Sequence, residues 1–112
     1  MLLRGDIALV NFDPAELGEA ASTRPAIIIT NNVANLNSPV LVVIPLTTNT
    51  ERVYPFELLV TSLMSSLDND SKAQTQLIRH VSQHRIGKVI GRLEGAAMLE
   101  LEVRLKHHLG MG

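Results

Sequence analysis

Short, β-branched apolar runs constrain this chain most, because each is too short to be a core helix. Ala26–Thr30 reads Ala-Ile-Ile-Ile-Thr and Val40–Ile44 reads Val-Leu-Val-Val-Ile. Such runs are typical of strands buried on both faces of a sheet. Pro25 opens the first run, Pro45 marks the end of the second, and an Asn-rich turn is predicted between them. Only 3% of the residues are aromatic, so Val, Ile and Leu must fill the core.

Other segments extend this pattern of short strands. Three further strands are predicted, at residues 6–12, 55–60 and 74–81. Two polar segments, residues 15–24 and 61–71, are predicted to be loops. Ser82 can cap one helical turn that extends through Arg85.

The C-terminal segment has a different periodicity. Ala97, Leu101, Leu105 and Leu109 recur at every fourth position, and Gly110 is a natural stop. Acidic residues precede basic ones, which suits the helix dipole. The pattern predicts a helix over residues 94–109. Several strands followed by one helix indicate a mainly β domain with some α structure, a small curled antiparallel barrel with the helix packed against it, over residues 1–112.

Composition excludes several classes of protein. The chain has no cysteine, so disulfides, Cys-ligated zinc and thiol nucleophiles are ruled out. No apolar stretch is long enough for a signal peptide or a membrane span. These features predict a soluble cytoplasmic domain that does not bind or span a membrane.

Charge is unevenly distributed along the chain. Residues 1–70 contain three basic and eight acidic residues, and residues 71–112 contain seven basic and three acidic ones. From Ser71 to Leu93 there is no acid, while five Lys and Arg residues fall there. This segment fits either a phosphate-binding track or a solvated surface that balances the acidic half.

No cofactor is predicted. His80 and His84 have a spacing that can hold a metal on a helix, but the signal is weak and no carboxylate cluster lies nearby in sequence. The sequence has no P-loop or dinucleotide fingerprint.

Two segments carry groups suited to phosphate oxygens. Arg24 precedes Pro25, which restricts Arg24 to extended geometry and favours a preorganised anion clamp. Pro45–Thr50 offers three hydroxyls and an amide at a strand end. The same Thr-rich stretch is also an ordinary strand and turn sequence, so both interpretations stay open.

The order of these features resembles the MazF/PemK (Kid-type) toxins of bacterial toxin–antitoxin modules. The resemblance rests on Arg4-Gly5-Asp6-Ile7, Val10-Asn11-Phe12-Asp13-Pro14, Glu19 through Thr23-Arg24-Pro25 and the strand after it, Pro45-Leu46-Thr47, Ser71-Lys72-Ala73 through Arg79, Arg85-Ile86-Gly87, and Leu109-Gly110. Each motif is weak alone, but the ordered set covers nearly the whole chain.

This resemblance implies an SH3-like barrel, a homodimer, and metal-independent, sequence-specific cleavage of single-stranded RNA to a 2′,3′-cyclic phosphate and a 5′-hydroxyl. It also implies a cognate antitoxin whose flexible acidic tail covers the RNA groove. The two catalytic positions correspond to Arg24 and Thr47. The RNA-binding positions expected here are Glu19, Thr48, Gln76, Arg79, His80 and Arg85.

Two departures leave the general base open. Family members often carry an acid and then Gln where this chain has Gln76 and Leu77, and a loop His is also missing. Glu19 and His80 are the titratable residues near the matched motifs, and imidazole is the side-chain group that ordinarily ionises near neutral pH. On a strand, His80 would lie roughly 13 Å from Gln76.

A second function stays open. A barrel of this type can bind nucleic acid or a protein target without cutting, as the toxins of this general fold that inhibit DNA gyrase do. Arg24 and Thr47 favour the nuclease. A small chain with 46% hydrophobic residues also predicts a homodimer, with the Ile27–Ile29 run and the C-terminal helix as candidate interfaces.

Overall fold

The apolar runs form the centre of one curled antiparallel sheet in the computed structural model, which describes all 112 residues. The strands are β1 (Asp6–Asn11), β2 (Thr23–Ile28), β3 (Val40–Thr47), β4 (Leu58–Val60), β5 (Ser71–Ala73), β6 (Arg79–Ser82) and β7 (Ile86–Arg92). The helices are α1 (Asn32–Asn37), α2 (Ser62–Ser65) and α3 (Ala96–Leu109), with 3-10 turns at Thr75–Leu77 and Gln83–Arg85.

Strand β3 causes the curl because it has two partners along one edge. The sheet order is β4-β5-β3-β2-β1-β7, and β6 also pairs with β3. The first half of β3 pairs with β6, from Val40 to Val43, while Leu46 and Thr47 pair with β5. The result is an antiparallel half-barrel closed by α3, which confirms the predicted fold class.

The two faces of the central strands enter different cores. Ile7, Ile27 and Ile44 pack with Met98 and Leu101 of α3. The alternate positions join a second cluster with the fully buried Phe12; they include Val10, Ile28 and Val43. The period of two therefore places apolar side chains on both faces of β2 and β3, as predicted. Since Ile27 and Ile28 have no exposed surface, the prediction of a dimer interface at this run is wrong for these two residues.

Helix α3 begins two residues after the predicted start and ends at the predicted residue. Gly110 caps it in the left-handed conformation at φ +69°, and its N–H donates to the His107 carbonyl. None of the helices combines the length and hydrophobicity needed to span a bilayer.

Several predicted elements were wrong. The segment predicted as one strand over residues 74–81 is a 3-10 turn followed by β6, and only residues 58–60 of the predicted 55–60 strand are extended. Strand β2 begins at Thr23, inside the predicted loop 15–24. Short helices interrupt the two segments predicted as turn and loop, because the side chains of Asn31 and Thr61 cap them. The predicted turn after Ser82 is confirmed.

Candidate active site

Arg24 and Thr47 lie at the same edge of the sheet. Strands β2 and β3 pair through Ala26 and Pro45, and Arg24 and Thr47 each lie two residues beyond that pair, in the same direction. Side chains two residues apart on a strand share a face, as do directly opposed residues of antiparallel strands. Both side chains therefore project from one face of the sheet.

Arg24 is half-buried and carries no carboxylate partner. Its Nε donates to the Ala21 carbonyl at 3.2 Å, and its Nη1 donates to the Gln74 Oε1 at 3.4 Å. Gln74 is itself fixed, because its backbone N–H donates to the Pro45 carbonyl at 2.9 Å. The guanidinium is thus oriented by neutral groups and keeps its full charge for an anion.

Thr47 ends β3 opposite Lys72 of β5. Its Oγ1 accepts from the Asn49 N–H at 3.3 Å, which leaves the hydroxyl proton free to donate. Thr48 is exposed and lines a separate cleft with Asp68 and Ser71. Thr48 therefore borders a cleft that Thr47 does not line.

Three of the predicted RNA-binding residues line one small cleft. Glu19, Gln76 and Arg79 border it with Gly18 and the residues between Gln76 and Arg79. The exposed Glu19 carboxylate accepts from the Glu16 N–H at 2.7 Å. The Arg79 guanidinium carbon lies 5.7 Å from the Phe12 ring centroid, and its Nε donates to the His80 carbonyl at 3.3 Å.

Gln76 has a partner that sequence reasoning did not find. Its Nε2 donates to the Glu57 Oε2 at 2.8 Å, while its Oε1 is buried with no hydrogen-bond partner. The Gln76 amide is therefore largely committed to the protein interior. His80 lies on β6, exposed and opposite Val42. Because Gln76 lies in a 3-10 turn, the spacing estimated for a continuous strand does not apply.

A buried carboxylate is the main feature that the sequence did not reveal. Glu57 has no exposed surface, and its Oε1 lies 3.0 Å from the Lys72 Nζ and accepts from the Tyr54 N–H at 3.0 Å. Burial alone raises the pKa of the Glu57 carboxyl, but the hydrogen bonds from Gln76, Tyr54 and Lys72 and the Lys72 charge outweigh it, so the pKa lies below its usual range. No spacing motif in the sequence links these residues.

The segment from Ser71 to Leu93 contains no acid, but acids from outside it contact two of its cations. Glu57 pairs with Lys72, and Arg92 pairs with Asp6 at 2.6 Å and with Glu94 at 3.1 Å. The hydrogen bond to Glu94 is the largest cause and raises the pKa of Arg92. Burial opposes it, and the contact with Asp6 raises the pKa further. The predicted phosphate track is therefore interrupted at both of these cations.

Arg85 is committed to the β1–β2 connection. Its Nη1 donates to the backbone carbonyls of Asn11 and Asp13, at the end of β1 and just beyond it. Since Arg85 is the last residue of the 3-10 turn capped by Ser82, this contact joins distant parts of the chain. No group of three or more His, Asp or Glu lies close enough to hold a metal ion, and His80 and His84 have no third ligand.

Residues 3–109 match the family model described as the PemK-like, MazF-like toxin of type II toxin–antitoxin systems. The chain belongs to this toxin family. Endoribonuclease MazF9 of Mycobacterium tuberculosis is 38% identical to this chain over 99% of its length and 98% of the relative's. Endoribonuclease MazF of Staphylococcus epidermidis is 28% identical over 99% of this chain and 93% of its own.

Solved structures of MazF toxins share the fold. MazF from Deinococcus radiodurans superposes with a TM-score of 0.85 at 20% identity, covering 98% of this chain and 97% of its own. A mycobacterial endoribonuclease in complex with its cognate antitoxin superposes with a TM-score of 0.82 at 20% identity, covering 100% of this chain and 98% of its own. The half-barrel with a C-terminal helix is therefore the MazF fold.

Proposed function

We propose that this chain, a MazF-type toxin and endoribonuclease, cleaves single-stranded RNA at the edge formed by Arg24 and Thr47, sequence-specifically and without a metal ion. The observation that carries the proposal is the placement of both side chains on one face of the sheet. There Arg24 is held by Ala21 and Gln74 without an acid partner. A charged fork beside a hydroxyl is suited to the phosphate of an RNA backbone.

The proposed reaction is a transesterification. The 2′-oxygen of the RNA attacks the adjacent phosphorus, the bond to the 5′-oxygen breaks, and the products are a 2′,3′-cyclic phosphate and a 5′-hydroxyl. Arg24 stabilises the charge that develops on the phosphate oxygens, because its two parallel donors strengthen as that charge builds. Thr47 donates its hydroxyl proton to orient an oxygen of the same phosphate.

The proton balance requires a base for the 2′-hydroxyl and an acid for the leaving oxygen. Arg24 is a poor candidate for the base, because the arginine guanidinium stays protonated in proteins. Glu57 is enclosed and cannot reach RNA. The exposed Glu19 and His80 are the two titratable candidates. Glu19 lines the cleft that contains Arg79, whereas His80 follows Arg79 on β6 and projects from the other face of that strand.

The RNA strand extends from this edge over Glu19, Gln76, Arg79 and His80, with Thr48 and Arg85 at its borders. Arg79 supplies the charge that tracks the backbone. The partner is a cognate antitoxin with a flexible acidic tail, which covers this basic edge by charge complementarity. Structural relatives in complex with a cognate antitoxin, and with MazE in Deinococcus radiodurans, support this partner. The complex would operate in the cytoplasm, where a chain without cysteine has no need of disulfides.

The chain acts as a homodimer. Helix α3 leaves Leu99, Val103 and Leu109 exposed, at 64%, 61% and 49%. Exposed apolar side chains on one helix favour a self-complementary contact between two copies.

The deciding experiment is cleavage of a long single-stranded RNA by purified protein in EDTA. We expect cleavage by the wild-type chain and a loss of more than about a hundredfold in Arg24→Ala, as for the removal of one oxyanion donor. Thr47→Ala should lower turnover as well. Lys106→Ala, an exposed cation on α3, is the matched control and should cleave normally. RNA binding without cleavage would support a non-catalytic binding module instead.

A further inference from the structure

Lys72 lies in the same cross-strand row as Thr47. Thr47 of β3 is opposite Lys72 of β5, and Lys72 is in turn opposite Leu59 of β4. Residues paired in this way project from one face of the sheet. A third cation therefore neighbours the proposed catalytic edge, and the residue roles described above do not include it.

The Lys72 ammonium group is not free to bind a phosphate. Its Nζ lies 3.0 Å from the Glu57 Oε1, donates to the Arg52 carbonyl at 2.6 Å, and lies 5.4 Å from the centroid of the Tyr54 ring. Lys72 is only 8% exposed. These contacts direct its charge into the protein rather than toward a strand of RNA.

Glu57 connects three segments that meet beside Thr47. Its carboxylate accepts from Lys72 of β5, from the Tyr54 N–H of the β3–β4 connection, and from Gln76 of the 3-10 turn. The Glu57 carbonyl also accepts from the Arg104 Nη1 at 3.1 Å. Removing the carboxylate would loosen the β3–β4 connection from strand β5, because the bond to the Arg52 carbonyl would then be the one remaining hydrogen bond from Lys72 to that connection.

We propose that the buried Glu57–Lys72 ion pair is a positioning unit that holds the β3–β4 connection, residues 48–57, against the Thr47 end of the sheet. RNA turnover then depends on the pair, while attraction of the RNA phosphates does not. This inference rests on the proposed nuclease function. It assigns Lys72 a role unlike that of Arg24 or Arg79, although all three are cations near one edge.

The energetics of buried ion pairs make this role separable from stability. Removing one partner leaves an uncompensated buried charge and destabilises strongly, whereas replacing both partners by neutral groups is often close to neutral. Glu57→Gln combined with Lys72→Met is such a replacement. The new carboxamide can also donate to the Gln76 Oε1, which has no partner in the wild-type chain.

The experiment compares Glu57→Gln, Lys72→Met and the double variant with the wild type. Urea unfolding gives stability, and kcat and KM are measured in EDTA on a short RNA that spans a mapped cut. The salt dependence of affinity is measured with the same strand carrying 2′-deoxyribose at the cut. Emission anisotropy of Tyr54, the only tyrosine in a chain without tryptophan, reports the order of the connection. Glu102→Gln, which removes the acid of the half-exposed pair with Arg4, is the control.

We expect both single variants to lose stability and the double variant to regain it. The double variant should keep its KM while kcat falls about tenfold to a hundredfold, as for a small misplacement of reacting groups. The slope of log affinity against log salt concentration, the salt slope, should stay unchanged in Lys72→Met. It should steepen by about one charge in Glu57→Gln, because loss of the Glu57 carboxylate releases the Lys72 ammonium group. Tyr54 anisotropy should fall in the double variant.

Three results would overturn the inference. A double variant with wild-type kcat would show that the pair only stabilises the fold. A salt slope lowered by one charge in Lys72→Met would make Lys72 a phosphate ligand. If the wild-type chain cleaves no RNA, the proposed nuclease function is wrong, whatever the role of the ion pair. Unchanged Tyr54 anisotropy in the double variant would then show independently that the pair does not hold the β3–β4 connection.

Discussion

Gln76→Glu tests the structural reason for the glutamine at this position. The Gln76 amide donates to the Glu57 Oε2 at 2.8 Å, so the substitution replaces a donor by a second carboxyl in contact with a buried carboxylate. Two carboxylates this close cannot both stay ionised, and the new group takes up a proton. The protonated carboxyl then donates to Glu57 as the amide did.

The free-energy penalty follows from the cost of that proton. A glutamate with an unfolded pKa of about 4.3 loses about 1.4 kcal/mol of stability for each pH unit at which the fold keeps it protonated above that pKa, which gives about 3.7 kcal/mol at pH 7. The repulsion at ~4 Å and an effective dielectric constant of about 20 is close to 4 kcal/mol, so protonation and repulsion set similar limits. The penalty is present above the unfolded pKa and shrinks as the pH falls toward it.

Urea unfolding at fixed protein concentration, repeated between pH 7 and pH 4.5, measures this penalty. Gln74→Glu is the matched control, because its Oε1 accepts from the Arg24 Nη1 and a carboxylate there faces a guanidinium. The control should stay within about 1 kcal/mol of the wild type. A Gln76→Glu variant that is as stable as the wild type at pH 7, or whose penalty does not shrink on acidification, would refute the reasoning.

Three further outcomes are expected. Because the pKa of Glu57 is lowered in the folded state, its contribution to stability is complete above the ordinary value of 4.5 and is lost as the pH falls through the folded value. The free energy of unfolding in urea should therefore fall less on acidification in Glu57→Gln than in the wild type. Arg79→Gln should weaken binding to all RNA sequences alike and lower the salt slope by about one charge, and a loss of sequence preference at constant slope would contradict this. Val103→Glu should give a monomer by light scattering at micromolar concentration, whereas the charge reversal Lys88→Glu, at an exposed position on strand β7, should not; a dimeric Val103→Glu would place the interface elsewhere.

Local patterns predicted the elements that carry the core. The runs at 26–30 and 40–44 have enough β-branched apolar residues to specify strands without tertiary information, and the four-residue repeat of leucines defined α3. The short helices α1 and α2 were missed because each depends on one capping side chain, Asn31 or Thr61, in a polar segment. The turn at Thr75–Leu77 was missed because the sequence of residues 74–81 has the pattern of one strand. The interruption of that strand depends on tertiary packing, which the pattern does not contain.

The candidate site was predictable only where it follows the order of the motifs. Arg24 lies at the start of β2 and Thr47 at the end of its antiparallel neighbour β3, so their motifs place them together. Glu57 lies just before a three-residue strand, and its contact with Lys72 depends on the register of β4 and β5, which a linear pattern does not contain. The absence of acids between Ser71 and Leu93 was misleading for the same reason, because the acids that neutralise this segment come from outside it.

Glu57 also gives a physical reason for the departure from the family pattern at Gln76. A carboxylate at position 76 would contact the Glu57 carboxylate, which is buried and already ionised beside Lys72. A neutral donor at that position satisfies the Glu57 Oε2 without adding a charge to an enclosed site. Position 76 therefore serves the buried network in this chain. The candidates for accepting the 2′-hydroxyl proton are then the exposed Glu19, which lines the cleft, and the exposed His80 of β6. His80→Gln separates these two: the loss of an ionisation from the pH–rate profile would assign the base to His80, and an unchanged profile would assign it to Glu19.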